Sequence, residues 1–187
     1  MNLIAGGLPP QVFAAGHQVV NFKNFSYDNQ QADGLDQSQV VVLYNHGVVG
    51  DFSLCMFAPG TREALTVCDE SGRLHATESA LPGGENENRL EIWRGENGPS
   101  GVTQPDYPSY IAQAGHHGST YFEHQSFVNP ITQDEPTGPT LADGLWFVVL
   151  GEAAPVSIER GEPVNVADIL PANFDVNQEG LTSTQQD

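Results

Sequence analysis

Cationic side chains are nearly missing from this chain. Its 187 residues include one lysine, Lys23, and five arginines, against 24 carboxylates, for a formal net charge of −18. A surface for nucleic acid or for an anionic membrane needs a basic patch, so the charge argues against both partners. The acids run along the whole chain and do not gather in a tail. That spread suits a solvated surface in salty surroundings, where screening weakens self-repulsion. Cysteine is scarce too. Cys55 and Cys68 are too few for a disulfide framework and are expected to be buried free thiols. No apolar run approaches the ~20 residues that span a bilayer. Met1 to Ala5 lacks the basic start of a secretion signal. The expectation is a cytoplasmic, soluble protein.

Phosphate-gripping loops are absent as well. A dinucleotide fold shows G-x-G-x-x-G between a strand and a helix, where backbone amides at the helix start hold the pyrophosphate. Gly95-x-x-Gly98-x-x-Gly101 has another spacing and sits in a loop with no helix behind it. No G-x-x-x-x-G-K-[ST] element exists. Cofactor-binding residues are therefore expected to be none in this chain.

What is present is turn-rich and strand-rich. Twenty glycines and thirteen prolines imply many reversals of direction. Gln11 to Gly16 reads as a strand, Asn21 to Gln39 as a polar exposed loop, and Gln39 to Tyr44 as a valine-rich strand. Val48 to Phe57 alternates, with Phe52, Leu54 and Met56 on one face. Glu63 to Cys68, Arg73 to Thr77 and Arg89 to Arg94 continue the meander, the last with Leu90 and Ile92 opposite Glu91 and Trp93. Leu81 to Asn88 and Gly95 to Ala114 are expected to be irregular. Two helices follow. Thr120-x-x-Glu123 fits a capping box, and that helix should stop or kink at Pro130. A linker at Pro136 to Pro139 precedes Thr140-x-x-Asp143, which caps a second helix carrying Leu145, Val148, Val149 and Ala153 near one stripe. Gly161 and Pro163 end it, and Pro155 should kink it.

The fold class is therefore α+β: a predominantly antiparallel sheet with two C-terminal helices packed on one face and the other face free for self-association. One domain spans 1–170, and 171–187 is expected to be a disordered tail.

Candidate chemistry concentrates in Gly115-His116-His117-Gly118 and the following Tyr121. Together with Phe13-Ala14-Ala15-Gly16, Pro59-Gly60-x-Arg62, Ser71-Gly72-Arg73-Leu74 and Leu90-Glu91-Ile92-Trp93-Arg94-Gly95, in this order and spacing, the chain resembles the C-terminal half of the Gfo/Idh/MocA oxidoreductases. The resemblance implies an N-terminal Rossmann domain binding NAD or NADP, a catalytic lysine and an Asp-x-x-x-His pair, none of which matches this sequence. Catalytic residues are thus none. His116, His117 and Tyr121 are implied as substrate-binding groups that hydrogen-bond the hydroxyls of a sugar or polyol. A homo-oligomer through the sheet face is the implied assembly, and activity is expected only in a full-length context. The alternative is a non-enzymatic carbohydrate-binding or assembly module. A metal cluster of His116, His117, Glu123 and His124 is disfavoured because adjacent residues point apart. Asp51 and Glu91 are expected to face solvent, and Phe52 and Trp93 to join the core.

Overall fold

The computed structural model describes residues 2–80, 87–133 and 140–170. The expected 136–139 linker, most of the 81–88 loop and the 171–187 tail lie outside the described residues. In chain order the elements are α1 (Asn2–Ala5), β1 (Gln11–His17), β2 (Ser26–Tyr27), β3 (Gln30–Gln31), β4 (Gln37–Leu43) and β5 (Val49–Cys55). Then come β6 (Thr61–Asp69), β7 (Gly72–Ala80), β8 (Glu87–Trp93), β9 (Gly101–Thr103), α2 (Ser109–Ala112), α3 (Ser119–Gln133), α4 (Leu141–Arg160) and β10 (Val164–Asn165). No helix among the described residues is long and apolar enough to cross a membrane. The α+β class and the antiparallel pairing hold. The strands, however, divide between two four-stranded sheets where the sequence pattern suggested one, and the chain gathers into two compact units, residues 1–57 with 138–187, and residues 58–137.

In the first unit the sheet order is β10-β1-β4-β5, every neighbour antiparallel. β1 alternates strictly, with Val12, Ala14 and Gly16 buried and Phe13, Ala15 and His17 exposed, as a pleat with one covered face requires. The cover is α4. Its buried residues Trp146, Val149, Ala153 and Ser157 recur at three- and four-residue steps, which is one helical stripe. Trp146, Val149 and Ala153 pack with Val12, Val42, Tyr44, Val164 and Val166 into a single core. The stripe is turned from the expected one: Val148 is exposed, and Trp146 takes its place inside. The Thr140 capping box forms as expected, with the Asp143 N–H donating to Thr140 Oγ1 at 3.2 Å and the Thr140 N–H to Asp143 Oδ2 at 2.7 Å. Hydrogen bonds from the Thr140 backbone and hydroxyl outweigh a small burial effect and hold the Asp143 carboxyl below its usual range. Gly161 ends the helix. The helix does not stop at Pro155, which is exposed beside an exposed Gly151; there water can serve the carbonyl that the proline leaves without a donor.

Ser157 is the polar member of this core. Fully buried, its Oγ accepts from the Ala14 N–H at 2.9 Å and donates to the Glu162 carbonyl at 2.7 Å. It thereby ties α4 to β1 and to the chain leading into β10. Ser157→Ala would leave both backbone groups unpaired, at a cost of about 1–3 kcal/mol. In urea unfolding, the midpoint should fall with an unchanged slope.

Between β1 and β4 the chain makes the small β2–β3 hairpin, turning through Asp28 and Asn29 at positive φ. Asp36 anchors the base of this excursion. Its buried carboxylate accepts the N–H groups of Val19, Val20, Asn21 and Phe22. Burial raises its pKa, and the four backbone donors together more than reverse this, so the group stays ionised below the ordinary aspartate range.

In the second unit the order is β6-β7-β8-β9, again antiparallel. Registers place Leu65, Ala76 and Leu90 in one cross-strand row and Thr66, His75 and Glu91 in the next, on the opposite face. β9 lies in the stretch expected to be irregular. Cys55 and Cys68 are free but exposed, not buried: each occupies a sheet position that its unit leaves open to solvent. α3 starts at Ser119, one residue ahead of the expected cap, and continues past Pro130 to Gln133. The Thr132 hydroxyl donates to the Val128 carbonyl at 3.1 Å and serves the last turn.

Candidate functional site

The polar loop is built by backbone conformation. α2 ends at Ala112, and the chain then passes Gly115 at φ 92° into a 3-10 turn over His116–Gly118 that runs directly into α3. His116 is at φ 44° and Gly118 at φ 100°. A non-glycine residue in this region is uncommon and strained. At Gly118 a Cβ would stand 2.9 Å from Ile111 Cγ2 and 3.2 Å from the Ile111 carbonyl oxygen. The glycine is thus needed both for its φ and for close packing on buried Ile111.

His116 is exposed and Tyr121 half-buried. The His117 side chain lies outside the described residues. Tyr121 sits within a run of edge-to-face aromatic contacts, 5.9 Å from Tyr110 and 5.5 Å from Phe122, while Phe122 meets Tyr107 at 5.2 Å. Such pairs add about 0.5–1.5 kcal/mol beyond their burial. His116 and Tyr121 thus belong to one helix start, with the Tyr121 ring fixed by packing. Beside this start an open groove of about 430 Å³ runs over the second sheet. Leu65, Ala76 and Leu90 form its floor, Tyr107 and Phe122 its wall, and Glu63, Glu78 and Asn88, one cross-strand row, its polar end. The Asn88 Oδ1 is buried and has no hydrogen-bond partner among the described residues. In sequence this groove shows only as the polar Glu63, Glu78 and Asn88 on the same strand face as Leu65, Ala76 and Leu90.

Among the described residues no group of three His, Cys, Asp or Glu side chains is placed to hold a metal, and the His116, Glu123 and His124 set does not converge. Asp51 is exposed. Glu91 is not simply solvated. Its Oε1 accepts from Arg89 Nε at 2.7 Å and its Oε2 from the Trp93 indole N–H at 2.9 Å. These two bonds, the Arg89 one larger, hold its carboxyl below the usual glutamate range. Trp93 is half-buried under Arg73, whose guanidinium lies 4.5 Å from the ring centroid, and Phe52 is exposed, so neither aromatic joins the core. Both four-stranded sheets are antiparallel, and no parallel strand–helix–strand crossover among the described residues offers a helix start to a pyrophosphate. The described residues thus do not build the strand–turn–helix cradle of a Rossmann-type dinucleotide site.

Residues 1–166 match the family model described as "Oxidoreductase family, C-terminal alpha/beta domain". No curated protein is recognisably similar in sequence. Similar solved structures include an oxidoreductase from Agrobacterium radiobacter in complex with NAD+, L-tartaric acid and magnesium, 19% identical with a TM-score of 0.55 over 90% of this chain and 46% of that one. They also include the aldose-aldose oxidoreductase from Caulobacter crescentus complexed with glycerol, 16% identical with a TM-score of 0.55 over 88% of this chain and 43% of that one. A third is the WlbA dehydrogenase from Bordetella pertussis in complex with NADH and UDP-GlcNAcA, 15% identical with a TM-score of 0.52 over 89% of this chain and 40% of that one. At these identities the likeness is one of fold. The chain spans under half the length of each of these three.

Proposed function

The chain belongs to the Gfo/Idh/MocA oxidoreductase family, matching its C-terminal α/β domain, and from that premise we propose that it walls the substrate pocket and mediates self-association in an NAD(P)-dependent oxidoreductase of sugars, polyols or related hydroxyl compounds. The observation that carries this is the exposed His116 on a strained turn, beside the packed Tyr121 ring and an open groove in the same unit. An exposed imidazole and a packed phenol offer donors and acceptors, which suits a ligand bearing several hydroxyls. The names of the similar structures, which mention an aldose-aldose oxidoreductase, glycerol and a nucleotide sugar, support that substrate class. NAD or NADP would supply the hydride chemistry from a Rossmann domain; the residues described here bind and orient. For self-association, the exposed Leu74 and Ile92 are cross-strand neighbours beyond the groove floor, and burying them would supply apolar area.

The test is an NMR titration of the full chain with glucose, myo-inositol and glycerol, alongside NAD(H) and NADP(H) by calorimetry. Saturable shifts at the His116 and Tyr121 rings are expected, weakened about fivefold or more in Tyr121→Phe, which removes one hydrogen bond. No dinucleotide binding is expected. Shifts confined to other residues, or micromolar NAD(H) affinity, would refute the proposal.

A further inference from the structure

We propose that the polar face of the second sheet carries a second binding site, one for a carboxylate-bearing small molecule, organised by Arg73 and Trp93. In this acidic chain the basic residues are not scattered. Four of the six, Arg62, Arg73, Arg89 and Arg94, fall between residues 62 and 94. The strand registers put Arg62, Arg73 and Arg89, with His75, on one face of the sheet. That is the face opposite the floor of the groove described above.

Arg73 is the anomaly on this face. Carboxylates outnumber cations 24 to 6, yet among the described residues its guanidinium makes no ion pair or hydrogen bond. It lies over the Trp93 ring at 4.5 Å from the centroid. Of the two carboxylates just before it in sequence, Asp69 is committed to the Ser71 N–H, the Ser71 hydroxyl and the Gly72 N–H, and exposed Glu70 makes no ion pair with Arg73 among the described residues. Glu91 is committed to Arg89 and to the Trp93 indole N–H. Arg89 therefore offsets Glu91, the carboxylate bonded to the platform, and Arg73 keeps no salt-bridge partner among the described residues. The ring beneath is held in place by its own N–H bond to Glu91.

A guanidinium stacked on an indole keeps its N–H edge pointing outward in a fixed plane. That edge matches the two oxygens of a carboxylate. His75, two residues along the same strand face, is held by the Thr66 hydroxyl at 2.8 Å and can hydrogen-bond the same ligand. The planar fork favours carboxylate over spherical chloride, and the stack limits the entropy lost on binding.

The probe is succinate, titrated into the full chain against sodium chloride of equal ionic strength. The readouts are the Arg73 Nε–H and Trp93 Nε1–H signals in 15N-resolved NMR. Succinate is expected to shift both signals saturably and chloride is not. Arg73→Gln and Arg73→Lys should each weaken succinate about tenfold or more, since a lysine keeps the charge but not the fork. Both variants change an exposed side chain and should melt as the parent does. Linear shifts shared with chloride, full affinity in Arg73→Lys, or a face closed off by a second copy of the chain would each overturn the site.

Discussion

Trp146→Ala is expected to remove about 3–5 kcal/mol of stability, the range for deleting a large buried aromatic. The indole is 5% exposed and packs with Val12, Val42, Tyr44, Val149, Ala153, Val164 and Val166. These come from β1, α4, and β4 and β10 with the residues that follow each, and their mutual placement depends on filling that volume. β-branched side chains relax poorly around a void, because each has few rotamers to move into, so the site should stay open and the cost should fall high in the range. Trp146→Phe makes a sharper companion. The indole N–H is buried with no acceptor among the described residues, and a buried unpaired donor is itself unfavourable. Phenylalanine gives up some volume but sheds that donor, so its loss should be well under half that of alanine. Urea unfolding followed by far-UV circular dichroism measures both. An alanine variant within about 1 kcal/mol of the parent would mean that α4 is not seated as described.

The contrast between Trp146 and Ser157 shows what a sequence pattern can and cannot say. The existence of α4, its Thr140-Asp143 start and its Gly161 stop are local matters, set by residues within a few positions of each other, and all were legible. Which stripe faces inward was not. Leu145, Val148 and Val149 suggest one centre, but the buried stripe is Trp146, Val149, Ala153 and Ser157. A serine belongs there because it answers the Ala14 N–H and the Glu162 carbonyl, one of them 143 positions away. The division of the strands into two sheets is likewise a non-local fact. Alternation identifies β4 through β8, yet nothing in the pattern states that β5 and β6, consecutive in sequence, decline to pair. A proline misled in the other direction. Pro130 argues locally for a stop, but an exposed carbonyl can turn to water and α3 continues to Gln133. For the candidate site, glycines and histidines in one tetrapeptide pointed to the loop. The groove was missed because Glu63, Glu78 and Asn88 come from three strands and meet only through register.

Gly72→Ala should be the most damaging single substitution in the second unit. Gly72 closes the β6–β7 hairpin at φ 147°, where alanine is strained by about 1–3 kcal/mol. A Cβ there would also collide with the Trp93 carbonyl oxygen and stand 3.1 Å from the Trp93 carbonyl carbon. These are backbone atoms of the neighbouring strand, so no rotamer change relieves the contact. β8 must shift away from β7, adding about 1–3 kcal/mol of the kind seen on overpacking, for a total of about 2–6 kcal/mol. Gly98 supplies the control, because it has φ 112° but nothing within 4 Å of its would-be Cβ. Gly98→Ala should thus show conformational strain alone, and the difference between the two variants isolates the collision. The displacement falls on Trp93, so the Arg73 stack and the indole bond to Glu91 should loosen together. In NMR the Trp93 Nε1–H signal should broaden or move in Gly72→Ala while staying in place in Gly98→Ala. Equal losses of stability in the two variants, with an unmoved indole signal, would show that the hairpin has room that its registers deny.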